Sequence, residues 1–257
     1  MKQQGARSGS RPPVLLLHAF PLSAAMWDGV IARMAAERDV LAVDYPGFGG
    51  RPAAVGEPDL GVFADDIAAE LDRRGTGPVI AVGLSLGGYV MVELVRRRPD
   101  LLAGLVFADT RVTPDSPSEA GRRAVQAARI RADGHVESLV TDYLPACLTA
   151  TTRADVRTAL HRMVRTAEPE GVAWTLHAMA ARTDGRAALR AGGLGLPGGV
   201  IVGSDDALCS ASDRATLRKA LGGARAYGVP DAGHYSAVDN PQGFAAALKA
   251  YLQDWNL

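Results

Sequence analysis

The chain has 257 residues, enough to bury a sizeable core, and its 47% hydrophobic and 22% charged residues are the balance of a globular protein. Its 28 Lys and Arg are matched by 28 Asp and Glu, so no basic surplus points to nucleic acid or to an anionic membrane. No apolar run approaches a membrane span, and two cysteines, Cys147 and Cys209, are too few for a disulfide framework.

Met1 to Pro13 is basic, polar and rich in Gly and Ser, without the apolar centre of a signal peptide. It is expected to be a disordered leader, and the protein cytoplasmic. Val14-Leu15-Leu16-Leu17-His18 reads as a buried strand that breaks at Ala19-Phe20-Pro21. Met26 to Arg38 has helical spacing, with Met26, Val30 and Met34 on one stripe. Val40 to Val43 is a second strand, followed by a Gly- and Pro-rich loop from Asp44 to Gly50. A helix is expected over Val62–Arg74 and a strand over Pro78–Val82. The next helix, from Leu86, ends at Arg96-Arg97-Arg98-Pro99, where cations complement the helix dipole and proline stops it. Leu102 to Phe107 is another strand.

From Asp115 to Thr183 the pattern is helical throughout, and Arg122, Arg123, Arg129, Arg131, Arg153, Arg157, Arg162 and Arg165 are expected on a solvated face. Strand pattern returns at Gly199–Gly203, with a helix at Ala211–Leu221 and a last strand at Ala224–Gly228. Pro241–Trp255 closes the chain as an amphipathic helix with Phe244, Leu248, Tyr251 and Leu252 inward. Strands alternating with helices imply an α/β fold, a mostly parallel sheet with helices on both faces. Residues 14–114 and 185–257 would form its core, and residues 115–184 a helical cap. Ligands of such sheets bind beyond the carboxyl ends of the strands, where Ser85, Phe20, Gly47 and Asp109 are expected to converge.

The chemistry centres on Gly83-Leu84-Ser85-Leu86-Gly87, a G-x-S-x-G pattern between a strand and a helix. Two glycines permit a sharp turn that pushes the Ser85 hydroxyl into a cleft beside a helix N-terminus. The pattern alone is short enough to arise by chance as a passive Gly-rich turn; the strand before it and helix after it give it meaning. A serine needs a base. His135, His161 and His177 lie in the cap and His18 in a strand end. His234 stands in the loop after the last strand, on the side from which it can reach Ser85. An acid to orient it is offered by Gly203-Ser204-Asp205-Asp206. Asp206 is preferred for the turn before it, with Asp205 and Asp109 as alternatives. The backbone N–H groups of Leu86 and Phe20 are positioned to stabilise an oxyanion.

These residues resemble those of the α/β-hydrolase fold superfamily. The likeness is carried by His18-Ala19-Phe20-Pro21 with Met26-Trp27-Asp28, Asp44-Tyr45-Pro46-Gly47-Phe48-Gly49, Gly83-Leu84-Ser85-Leu86-Gly87-Gly88, Gly203-Ser204-Asp205-Asp206 and Ala232-Gly233-His234. Within the superfamily the chain is similar to small esterases, enol-lactone hydrolases and cofactor-free haloperoxidases. The resemblance implies Ser85 as nucleophile, His234 as base, Asp206 as acid, and Phe20 and Leu86 as oxyanion donors. Three departures bear on the site. Ala19 replaces the usual glycine of the oxyanion loop, Ala207-Leu208-Cys209-Ser210 lacks the proline often found after the acid, and Tyr235-Ser236 follows the histidine where apolar residues are commoner.

The implied activity is a serine hydrolase acting on a carboxylic ester, lactone or thioester through an acyl-serine, on a small-molecule substrate, as a monomer or homodimer. No CxxC or HExxH pattern occurs, and no metal or organic cofactor is expected. Substrate contacts are expected from Phe20, Tyr143, Trp174, His177, Met179 and Tyr235. The same residues also permit perhydrolysis of the haloperoxidase kind, C–C bond hydrolysis or natural-product tailoring. A non-catalytic small-molecule binding protein is a further alternative, which the intact Ser, Asp and His oppose.

Overall fold

A computed structural model of the protein describes residues 11–191 and 195–257. Residues 1–10 of the expected leader lie outside the described residues. Six strands form the sheet: β1 (Val14–Leu17), β2 (Val40–Val43), β3 (Val79–Leu84), β4 (Leu102–Ala108), β5 (Gly198–Gly203) and β6 (Arg225–Val229). They pair in the order β2-β1-β3-β4-β5-β6, every pair parallel. The helices are α1 (Asp28–Met34), α2 (Gly61–Arg74), α3 (Leu86–Arg97), α4 (Pro117–Asp133), α5 (Leu144–Cys147), α6 (Ala154–Arg165), α7 (Pro169–Ala181), α8 (Arg186–Ala191), α9 (Ala211–Ala220), α10 (Ser236–Asp239) and α11 (Pro241–Asp254).

The central strands β1 and β3 are buried along their whole length, which is why they read as unbroken apolar runs rather than alternating ones. On α11, Phe244, Leu248, Tyr251 and Leu252 face inward as their spacing implies, and Trp27 meets Phe244 edge-on at 5.4 Å. The helix expected over Met26–Arg38 is shorter and in two parts, a 3₁₀ turn at Ala24–Trp27 and then α1. The Met34 carbonyl accepts both the Glu37 and Arg38 N–H groups, and the Arg38 guanidinium ties to the Pro12 and Leu257 carbonyls. Helices α8 and α10 are too short to show a period in sequence.

Between β4 and β5 the described chain has no strand. A capping box, Ser116 with Glu119, opens α4 behind Pro117, and Gly134 in the left-handed region closes it. A single π-helical turn, Leu139–Tyr143, follows. In the sheet, Leu17 pairs with Gly83, Leu84 with Ala108, Ala108 with Ile201 and Gly203 with Val229. The carboxyl ends of β1, β3, β4, β5 and β6 are thereby level, and the loops that leave them meet along one edge. The chain runs outward from β1 to β2 and then returns to the other side of β1 as β3, so the strand order reverses between β1 and β3. Such a reversal opens the crevice in which open α/β sheets bind ligands.

Candidate active site

Ser85 stands at that crevice, on the turn from β3 into α3. Its backbone lies at φ 53, ψ −110, a left-handed conformation that costs a non-glycine residue about 1–3 kcal/mol. Its neighbours hold it there. The Ser85 N–H donates to the Ala108 carbonyl at 2.9 Å, and the Ser85 carbonyl accepts from Gly88 N–H at 2.9 Å and the Thr110 hydroxyl at 2.7 Å. The flanking glycines let backbone touch backbone: a Cβ on Gly83 would lie 2.4 Å from the Gly87 oxygen, and one on Gly87 2.2 Å from the Leu17 oxygen.

The Ser85 hydroxyl is 2.9 Å from His234 Nε2, and His234 Nδ1 is 3.0 Å from Asp206 Oδ1. All three residues are buried. Asp206 Oδ1 also accepts from the Leu208 and Cys209 N–H groups, at 2.9 and 3.3 Å. Burial pushes the Asp206 carboxyl up, but the bond and charge of His234 and the two amides outweigh it and hold the group below the ordinary carboxylate value. Asp205 is exposed and bonds its own neighbour Ser204, so it is Asp206 that meets the imidazole. The His234 backbone is fastened from the helical segment, its N–H donating to the Cys147 carbonyl at 3.1 Å.

Asp109 is a second buried carboxylate beside this chain of bonds. It accepts from Gly203 N–H at 2.7 Å and from the Ser236 hydroxyl, so one side chain clamps the loops that carry Asp206 and His234. Burial, and then the charge of Asp206, push its carboxyl up to about 7 against the opposing pull of His234, Gly203 and Ser236.

Opposite Ser85 the β1 loop is shaped by His18. Its Nδ1–H donates to the Ala19 carbonyl at 3.0 Å and its Nε2 accepts from Tyr45 N–H at 3.3 Å. Burial lowers the His18 pKa to about 4, with the Ala19 bond and Asp44 opposing, so the ring is neutral. The Ala19 N–H is taken by Met26 Sδ, and the Phe20 carbonyl by the Tyr235 hydroxyl at 2.8 Å. Among the described residues, the N–H groups of Phe20 and Leu86 donate to no other group of the chain. Ala19 is absent from the residues at positive φ, so this loop has no need of a glycine there.

A cavity of about 370 Å³ opens over Ser85 and His234. Phe20, Leu139, Tyr143, Leu176, Met179 and Leu208 give it an apolar wall; Arg111, Glu119, Arg122, Arg123 and Asp142 give it a charged one. A hydroxyl bonded to an imidazole that a carboxylate orients is an arrangement that can deprotonate an alcohol as it attacks. Among the described residues no group of His, Cys, Asp and Glu is arranged to hold a metal ion.

The Alpha/beta hydrolase family matches residues 14–247. The chain belongs to that family. It is similar to an esterase from Thermogutta terrifontis, solved with malate bound, at 32% identity and a TM-score of 0.89, covering 96% of this chain and 91% of that one. The enol-lactonase from Burkholderia xenovorans is 26% identical with a TM-score of 0.85, covering 97% and 94%. A pimeloyl-(acyl-carrier protein) methyl ester esterase of Chromobacterium violaceum is 28% identical over 251 residues, 95% of this chain and 96% of that relative.

Several expectations fail on this hydrolase. Trp174 does not line the cavity; α7 is buried nearly all round, and the indole N–H donates to the Gly56 carbonyl at 3.0 Å while its ring packs on Phe63. His177 does not line it either, standing half-buried with Nε2 3.3 Å from Arg131. Tyr235 is turned away to hold Phe20. Gly47 packs against Gly171 instead of joining Ser85, Phe20 and Asp109 at the cavity. Arg123 is not on a solvated face: it lines the cavity and bonds Asp115 at 2.6 Å. A signal for it was present, because Arg123 lies four residues before Ala127 and seven before Ile130, the buried residues of α4. Nothing in the sequence pointed to the Cys147 carbonyl or the Asp109 clamp.

Proposed function

We propose that this hydrolase cleaves a carboxylic ester, with a lactone or thioester as variants of the same chemistry, through an acyl group carried on Ser85. The observation that carries the proposal is the continuous line from the Ser85 hydroxyl through His234 to Asp206, opening into the cavity beside two unengaged N–H groups. The esterase names of the Thermogutta terrifontis and Chromobacterium violaceum relatives support it. No helix of the described residues is long and apolar enough to cross a membrane.

In this reading Ser85 Oγ attacks the carbonyl carbon while its proton passes to His234 Nε2. Asp206 keeps the Nδ1–H directed at itself and stabilises the imidazolium. The carbonyl oxygen, now an anion, settles between the Phe20 and Leu86 N–H groups; one such donor is worth roughly 100- to 1,000-fold in rate. Collapse of the tetrahedral species expels the alcohol, which takes the proton from His234. Water then attacks the acyl-serine with the same imidazole as base, releasing the acid and restoring Ser85. Residues 115–184 act as a cap that roofs this edge of a core made of residues 14–114 and 185–257.

The test is covalent labelling. A fluorophosphonate probe should label the intact protein at Ser85 and leave Ser85→Ala unlabelled but folded. Equal labelling of the two would remove Ser85 as nucleophile.

A further inference from the structure

The charged wall of the cavity holds more positive charge than the chain neutralises. Behind that wall the fully buried carboxylate of Asp115 is shared by three guanidinium groups, at 2.6 Å by those of Arg111 and Arg123, which line the cavity, and at 2.8 Å by that of Arg182, which does not. Glu119, 2.8 Å from Arg111, is the second acid of the cluster. Three cations against two anions leave one charge unmatched. Arg122, next to Arg123 on α4 and in the same wall, is bonded to the Ser118 hydroxyl and has no acid partner among the described residues. Asp142 is engaged by Arg129 at 2.8 Å, and Asp109 faces Gly203 and Ser236.

The cluster is also short of acceptors. Arg182 Nε is buried without a hydrogen-bond partner, but its guanidinium lies over the Tyr89 ring at 4.1 Å and its terminal nitrogens reach the Met179 and Thr113 carbonyls, so the shortage that faces the cavity is at Arg123. Arg123 spends Nε on Asp115, but its Nη1 faces the Met179 thioether at 3.6 Å, and sulfur is a weak acceptor. The terminal nitrogens of a guanidinium that is only 19% exposed, one of them aimed at sulfur, give up hydration and regain no oxygen partner beyond the one Asp115 offers Nε. An anion delivered into the cavity would restore one, and a planar fork of N–H donors matches a carboxylate in both shape and charge.

We propose that the ester cleaved at Ser85 carries a free carboxylate, received by Arg123 with Arg122 at the charged wall. The proposal rests on the hydrolase reading above and adds the substrate class. The cavity, about 370 Å³, accommodates a small acid of this kind. The carboxylate can belong to the acyl half or to the alcohol half of the ester, and the experiment separates the two.

Rates would be measured on two matched pairs: monomethyl glutarate against methyl 4-carbamoylbutanoate, and acetoxyacetate against acetoxyacetamide. In at least one pair the acid should be preferred by about 10- to 100-fold in kcat/KM, the worth of a charge-assisted pair. The pair that shows the preference identifies the half that bears the carboxylate. Arg123→Gln and Arg122→Gln should each shrink the preference, and Arg123→Lys should restore part of it. Arg122 is exposed, so its variant reports even where loss of the Asp115 partner unfolds Arg123→Gln. Independently, glutarate should slow fluorophosphonate labelling of the intact protein and glutaramide should not. Equal use of acid and amide in both pairs, or a preference indifferent to both arginines, would overturn the carboxylate site while leaving the hydrolase intact. Absence of labelling at Ser85 would instead remove the reading beneath it.

Discussion

The two sides of the cavity are built from different materials. On the sheet side, Ser85 and Asp206 are held by backbone groups of the strand-end loops, the Ala108 carbonyl and the Leu208 and Cys209 amides, and the His234 N–H by one more backbone group, the Cys147 carbonyl at the end of α5. On the helical side, the wall is a lattice of side chains, with Arg111, Arg123 and Arg182 gathered on Asp115. Backbone positions follow from strand register and change little with side-chain identity. A side-chain lattice is remade by any one substitution. On the reading proposed above, the contrast puts reaction type and substrate preference in separate layers, the first anchored by the fold and the second free to vary above it.

That division can be tested from the sheet side. Asp206→Asn should lower kcat by about 10⁴-fold at neutral pH, because an amide cannot hold His234 in the same tautomer or stabilise its charge. Asp205→Asn, at an exposed position, should stay near wild type, and comparable losses in the two would refute the assignment of the acid. Tyr235→Phe should lower kcat by about 5-fold with little change in KM, since one hydrogen bond of about 1 kcal/mol holds the Phe20 peptide in place. A change in KM alone would return Tyr235 to the substrate-binding role that the sequence suggested.

The smallest effect is on stability against pH. Asp109, raised from 3.8 to about 7, is protonated in the folded protein where the unfolded chain is ionised, so its contribution falls as pH rises through that window. His18, lowered from 6.5 to about 4, is neutral when folded where the unfolded chain is charged, so its contribution rises over nearly the same window. The two slopes oppose each other. Asp109→Asn removes one of them, and its unfolding free energy from urea titrations should climb with pH between about 4 and 6.5 more steeply than wild type, by up to about 1.4 kcal/mol per pH unit. Parallel curves for the two proteins would show that Asp109 is ionised throughout.

The sequence made the sheet legible because parallel strands buried on both faces must be apolar throughout, as Val14–Leu17 and Val79–Val82 are. It made the serine and histidine legible because residues just past strand ends share an edge whatever lies between them. The charged wall of the cavity was not legible on the same grounds. Whether Arg123 or Arg129 enters a cavity depends on how α4 rotates against its neighbours, and Trp174 and His177, both on α7, meet Gly56 and Arg131 instead of the cavity over Ser85. Tyr235 was misread because a residue beside the base looks like a pocket residue until the Phe20 carbonyl is seen within its reach.

The left-handed backbone at Ser85 has one more consequence. The conformation is imposed from outside, by Ala108, Gly88 and Thr110, and a glycine would adopt it with less strain. Heat resistance and reactivity therefore pull this position in opposite directions, and Ser85→Gly should melt higher than the parent while losing the hydroxyl. A lineage selected only to endure would discard its serine first.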